Sequence, residues 1–237
     1  MMMQFTFDGK KSFDDFGVVV AKRPMIPSPK RRVTFMDIPG RHSSVRHDEE
    51  TYEDITIMVE CNLSKRTGPL YEQVDAIKAW LFGAGEADLV FSYEPDKAYQ
   101  AQVVNAIDFT THLRQAGTFP VLFHCRPFKV ETVPSTLIYT SSGQTIQNPG
   151  TVASAPIITI VGGGSIDLTV NGQSTTLINV EDKIILNSDL QECYNEAIQN
   201  ENEKMTGPFP ILMPGANTIS WSGSVSQVDI VSNWRWL

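Results

Sequence analysis

The tightest constraint on this chain is an apolar period of two. Between residues 53 and 63, Ile55, Ile57, Val59, Cys61 and Leu63 fall on one face, with Asp54, Thr56, Met58 and Glu60 on the other. Such alternation describes a strand with one side in a core. Phe119, Val121, Phe123 and Cys125 repeat the pattern, with Leu122, His124 and Arg126 opposite. Further strands are expected at 18–22, 33–38, 89–93 and 99–107. Helical spacing occurs in one segment, where Leu70, Val74, Ile77 and Leu81 form a stripe that Tyr71 and Trp80 widen. Thr67-Gly68-Pro69 supplies a start, because proline is tolerated in the first turn. Gly83 supplies a stop. A lone helix among strands must lie across a sheet and cover it.

The second part of the chain reads as entirely β. Strands are expected at 157–161 and 166–170, with Gly162-Gly163-Gly164 as the turn between them. Asn171-Gly172 is a two-residue hairpin signal, since both positions of that turn need positive φ. Strands at 175–179, 183–187 and 191–194 follow, and residues 195–208 are polar and loop-like. The stretches 217–222 and 225–232 read as a hairpin around Gly223. Short strands at this spacing suggest a sandwich.

The chemistry changes along the chain. Residues 1–133 carry 16 Lys/Arg against 18 Asp/Glu, and residues 134–237 carry 3 against 9, within a total of −8. The Ser/Thr/Gly/Pro-rich run over 134–151 between them reads as a linker. Three domain assignments follow: 1–133, the linker 134–151, and 152–237. With 237 residues, 41% hydrophobic and 19% charged, the chain is neither disordered nor supercharged. The acidic balance argues against a protein whose main work is gripping nucleic acid, which needs clustered Lys and Arg. Met1 to Asp8 is too short an apolar run for a signal-peptide core, and no window approaches the ~18 apolar residues of a membrane span. A cytosolically made protein that does not insert in membranes is expected. Asn62-Leu63-Ser64 matches a glycosylation sequon by chance on that reading.

Chemistry-bearing motifs are sparse. Cys61, Cys125 and Cys193 are too scattered for a disulfide framework or a paired zinc motif. Cys61 falls on a buried face and reads as a small hydrophobe. His42 and His47, with Asp48, fit no helix face and no tight ligand loop, so a solvated loop or a protein interface is expected there. His124 stands opposite a buried face, and His112 is the fourth histidine. No nucleophile elbow occurs, and neither Gly83-Ala84-Gly85 nor Gly162-Gly163-Gly164 is a phosphate-binding fingerprint. No catalytic residue, metal or cofactor is expected. Trp221, Trp234 and Trp236 leave two readings open: indole faces that stack on sugar, or packing and partner contacts.

The order of several weak motifs along the chain organises these features. Pro39-Gly40-Arg41 enters a loop, and the strand ending at Leu63 leads to a helix closing on Trp80-Leu81-Phe82-Gly83. Leu89, Phe91-Ser92, Pro95 and Tyr99 match an LxFSxxPxxxY segment. Phe123-His124-Cys125-Arg126-Pro127 closes the first part. Phe209-Pro210, Leu212, Pro214-Gly215, Asn217 and Ile219 match FPxLxPGxNxI, with Trp221 and a last strand beyond. In this order the chain resembles the distal tail proteins of siphophages, the hub component of the tail baseplate. His42-Ser43-Ser44 stands where that family commonly has Asp-Gly after the Arg.

The resemblance implies a mainly β protein: an N-terminal β-sandwich with one α-helix, then a galectin-like C-terminal β-sandwich. It implies a virion structural protein at the distal end of the tail, made in the bacterial host cytoplasm. A homo-hexameric ring would join the tail tube protein to the tail-tip (tail-associated lysin) protein and to receptor-binding or other baseplate proteins. DNA would pass through its centre without specific binding. A head-to-tail ring needs heterologous contacts. Pro39, Gly40, Arg41, His42, Arg46 and His47, with Trp80 and Phe82 at the helix corner, are expected at subunit contacts. The competing class is a carbohydrate-binding module that contacts the host cell wall through Trp221, Trp234 or Trp236.

Overall fold

Two units, Met1–Thr132 with Leu237 and Val133–Trp236, organise the chain in a computed structural model that describes residues 3–65, 68–105 and 118–237. The fold is mainly β, with one α-helix among the described residues. Ile107, His112 and Thr67, on which parts of the sequence reading fell, lie outside the described residues.

In the first unit the alternating segments become strands β1 Phe5–Phe7, β2 Lys10–Lys11, β3 Val18–Val20, β4 Arg31–Met36, β5 Val45–Tyr52, β6 Ile55–Leu63, β7 Ala87–Phe91, β8 Glu94–Val103 and β9 Thr118–Glu131. One sheet runs β2-β1-β7-β8-β9-β6-β3. β6 and β9 pair antiparallel in register Ile57↔Phe123 and Val59↔Val121, which puts both alternating patterns on the same face. The sheet is strongly curled. β1 and β9 are three strands apart, or about 14 Å in a flat sheet. Yet the Phe5 and Phe123 rings stand 5.5 Å apart, edge to face. Curling brings β1 and β9 together over a core of Phe5, Phe7, Ile57, Val59, Leu89, Phe119 and Phe123.

Helix α1, Leu70–Gly83, completes that core with Val74, Ile77, Trp80 and Leu81. Its start is fastened by buried Gln73, whose Nε2 donates to Phe16 O and Lys65 O, both at 2.8 Å. The left-handed residue that turns the chain away is Gly85 (φ 65°); Gly83 is the last helical residue.

The second unit contains β10 Thr136–Tyr139, β11 Gln144–Asn148, β12 Ile157–Val170, β13 Gln173–Val180, β14 Lys183–Asn187, β15 Glu192–Tyr194, β16 Met205–Thr206 and β17 Gly215–Val231. Its design rests on two long strands shared by two layers. The first half of β12 pairs with β14 and with the second half of β17; the second half of β12 pairs with β13 and with the first half of β17. β10 and β11 flank β17 in one layer each. The inward residues of both layers, Ile158, Ile160, Val228 and Ile230 against Ile166, Leu168, Leu177 and Ile219, form one buried cluster. This is a β-sandwich made by bending a sheet.

The bend corrects two expectations. Gly162-Gly163-Gly164 is not a turn between strands, and Gly223 does not head a hairpin. Both lie inside continuous strands, opposite one another, where the register slips between Val161 and Gly162 and between Gly163 and Ile166. A Cβ on Gly162 would strike Ser224 O, and one on Gly223 would strike Ser165 O, so the strands cross this closely only without side chains. A third correction concerns the linker: residues 134–151 hold β10 and β11, both paired with β17. Their Ser/Thr/Gly-rich composition belongs to the short connection and the outward positions. The Asn171-Gly172 turn is a two-residue hairpin, with φ of 51° and 80° and Val170 paired to Gln173.

Candidate subunit interface

β4 and β5 form a two-stranded sheet of their own, joined by the turn through residues 37–44. The loop expected from Pro39-Gly40-Arg41 onward is therefore strand from Val45. Its sequence, Val45-Arg46-His47-Asp48-Glu49-Glu50-Thr51-Tyr52, has no apolar period because neither side of the arm faces a core. On β4 and just past it, Phe35, Met36 and Ile38 are 65%, 53% and 48% exposed. A free two-stranded hairpin is marginal in water, and clustered exposed apolar side chains mark contact surfaces.

The register Arg31↔Tyr52, Val33↔Asp48 and Phe35↔Arg46 places these residues on one side of the arm. There the Asp48 carboxylate takes Arg31 Nε at 2.8 Å and also Arg46 Nη2. Glu50 is left-handed (φ 57°), and its N–H donates to Asp48 Oδ1 at 2.9 Å, which closes the bulge in β5. The Arg31 hydrogen bond, then that of the Glu50 amide, holds the Asp48 carboxyl below its ordinary value, and the bond to Asp48 raises the Arg31 guanidinium. At the root, Glu53 N–H donates to Lys30 O at 2.8 Å, and the Tyr52 ring meets Phe128 edge-on at 5.5 Å. Exposed ion pairs contribute little net stability. The ladder and the Tyr52 anchor set the arm's shape, and the charges set its register.

Six of the expected contact residues come together here. Pro39, Gly40, Arg41 and His42 lie exposed in the turn, where Gly40 is left-handed (φ 84°) and Arg41 N–H donates to Ile38 O at 3.1 Å. Arg46 and His47 are exposed on β5. Phe82, at the end of α1, is 46% exposed. Trp80 is a correction: it is buried, stacks on Phe16 at 4.2 Å, and donates from Nε1 to Phe7 O at 2.9 Å. It belongs to the core because it widens the apolar stripe of α1 inward. Phe35, Met36 and Ile38 join the candidate contact residues, which the sequence reading did not name. Their signal was an apolar run next to Pro39-Gly40 with no polar alternation to mark a buried side.

Of the two tryptophan readings, packing has the more support. Trp234 is buried in the sandwich core, and Trp221 and Trp236 are half-buried against it. Trp236 Nε1 donates to Pro149 O at 3.2 Å. All three pack on the sandwich core, which favours the packing reading. The cysteines are buried as well. Burial raises Cys61, pushes Cys125 up to about 12, and pushes Cys193 up to about 11, so each is an unreactive thiol at neutral pH. Among the described residues no three His, Cys, Asp or Glu side chains come within reach of one metal ion. None of the described helices is long and apolar enough to cross a membrane.

Residues 14–125, which span β3, the arm, α1 and the strands up to the middle of β9, match a family model described as the phage tail protein RIFT-related domain. The chain as a whole is similar to the crystal structure of the Dit protein of phage SPP1, described as a paradigm of the hub adsorption apparatus in phages that infect Gram-positive bacteria. The TM-score is 0.78 and the sequence identity 13%, with 100% of each chain covered. No curated protein sequence matches the chain. The resemblance to siphophage distal tail proteins read from the ordered motifs is thereby borne out. Helix α1 and the arm lie inside the residues that match the family model, and the second unit follows them in sequence.

Proposed function

We propose that this protein is a structural component of the distal end of a phage tail. In this reading six copies close a ring through the first unit, between the tail tube and the tail tip. The second unit serves as a carrier for receptor-binding or other baseplate proteins. The observation that carries the proposal is the match of fold to a tail hub protein along the full length of both chains. The arm supports it: an exposed hairpin with apolar side chains at its far end suits heterologous, head-to-tail contact with a neighbour. A net −2 over residues 1–133 suits a ring that lets DNA pass without gripping it. The role is structural rather than catalytic, and both matches are to phage tail proteins.

Negative-stain imaging of the purified protein tests this, alone and with its tail-tip partner. Six-fold rings with a central hole are expected. Closed rings of another order, open filaments, or monomers under both conditions would overturn the proposal.

A further inference from the structure

We infer that Asn171 is a deamidation site, held shut in the folded chain by its bonds to Asn217 and Thr218. The inference is independent of the ring reading. Asn171-Gly172 is the one Asn-Gly pair in the sequence. Asparagine is most prone to this change before glycine, which has no side chain to screen its amide nitrogen. That nitrogen, on losing its proton, attacks Cγ of Asn171. A C–N bond forms, the Cγ–Nδ2 bond breaks, and the amide group leaves as ammonia after taking up a proton. Water then opens the cyclic imide at either carbonyl, giving aspartate or its isomer with the main chain running through the side-chain carbon. Water is the only co-reactant.

The fold leaves the reactants exposed and withholds the geometry. Asn171 and Gly172 are both exposed, so water reaches them. Attack needs the Asn171 side chain to swing toward the next residue along the chain. It reaches across to β17 instead: Nδ2 donates to Asn217 Oδ1 at 2.7 Å, and Oδ1 accepts from Thr218 N–H at 3.0 Å. The main chain is tied to the same strand, with Asn171 N–H donating to Thr218 O at 2.9 Å. Asn217 is buried and bonded in turn to Met213 and Gly215, so it does not yield. The side chain is freed only when the turn opens, and the reaction follows the population of that open form.

The products do not fit the site. Aspartate at 171 sets a carboxylate oxygen against Asn217 Oδ1, acceptor facing acceptor, and the isomer adds a carbon to a turn of two residues. A second turn of the same kind lacks the restraint. Asp8-Gly9 joins β1 to β2 with φ of 51° and 69°, and Phe7 pairs with Lys10. Among the described residues the Asp8 side chain takes part in no hydrogen bond or ion pair.

Asp8→Asn therefore supplies a control within one molecule: asparagine before glycine, in an exposed two-residue turn, without a side-chain partner. The full chain is incubated folded, and separately in urea, in mildly alkaline buffer. Peptide mass spectrometry follows deamidation at positions 8 and 171, each rate being taken relative to the same site in urea. In the folded chain position 171 is expected to react at least about tenfold more slowly than position 8. Equal relative rates would overturn the inference. Asn217→Ala, checked for folding by circular dichroism, is expected to speed the reaction at 171 by about tenfold, and an unchanged rate would overturn the part given to Asn217. Where that variant does not fold, hydrogen exchange of the unsubstituted chain decides. The same opening frees the Thr218 amide and the Asn171 side chain, so folding should slow both processes by factors agreeing within about threefold. A Thr218 amide that exchanges freely while Asn171 stays intact would overturn the restraint.

Discussion

Asn217 is a buried side chain with every hydrogen-bonding position in use. Its Oδ1 accepts from Met213 N–H and from Asn171 Nδ2, both at 2.7 Å; its Nδ2 donates to Met213 O at 2.7 Å and Gly215 O at 3.0 Å. It thus fastens the Pro214-Gly215 corner to the Asn171-Gly172 turn, which accounts for an asparagine in the FPxLxPGxNxI segment. Asn217→Ala strands several buried polar groups and is expected to cost about 3 kcal/mol. A urea-unfolding loss well under 1 kcal/mol would refute that account. Trp80 and Phe82 make a contrasting pair. Trp80→Ala empties the space between Phe16 and Phe5 and orphans Phe7 O, at an expected cost of about 4 kcal/mol. Phe82→Ala should stay within about 0.5 kcal/mol of wild type in the same assay, because much of that ring is already in water. The two residues look alike in sequence. What separates them is their angle on α1, and the apolar stripe that Trp80 widens was the available signal for its burial.

At the scale of elements, what was legible followed from burial. β6, β9 and α1 each press one side against a core, so their apolar residues keep a period that survives without any structure. β5 has no such period. A strand with solvent on both sides carries Arg46, His47, Asp48 and Glu49 as a loop would, and only its pairing with β4 reveals it. The long bent strands were misread for a related reason. A bend inside a strand and a turn between strands both call for glycine, and only the partner strand decides between them. That difference can be measured. Gly223→Ala meets both a left-handed φ of 97° and a collision with Ser165 O, and is expected to cost at least about 2 kcal/mol. Gly164→Ala has a similar φ of 79° with open space around it, and should cost about 1 kcal/mol. Equal losses would mean that the close crossing of β12 and β17 is unimportant. The arm also has its own pH response. Asp48 is held low, chiefly by Arg31, so its contribution is present above the ordinary carboxylate value and is lost as pH falls through its lowered one. The arm should loosen in acid, below about pH 4. Hydrogen exchange of the β5 amides, corrected for the intrinsic pH dependence, should accelerate there, and Asp48→Asn should remove the step.

For the whole molecule, the proposed ring contact on the arm can be tested apart from folding. Neither buried cluster includes a residue between Arg31 and Tyr52, so the two cores hold together without it. Each unit has its own apolar cluster, and the uneven charge, −6 of −8 beyond residue 133, leaves the first unit nearly neutral. Near-neutral surfaces lack the mutual repulsion that would oppose packing six copies side by side. Removing residues 41–48 with a short glycine bridge should therefore leave the circular dichroism spectrum and the thermal midpoint close to wild type. The same change should reduce the mass by light scattering from six copies to one at the same concentration. A shortened chain that still weighs six copies would move the proposed contact off the arm, to surfaces such as the exposed end of α1 at Phe82. A shortened chain that fails to fold would show that the arm stabilises the first unit, contrary to its exposure on every side.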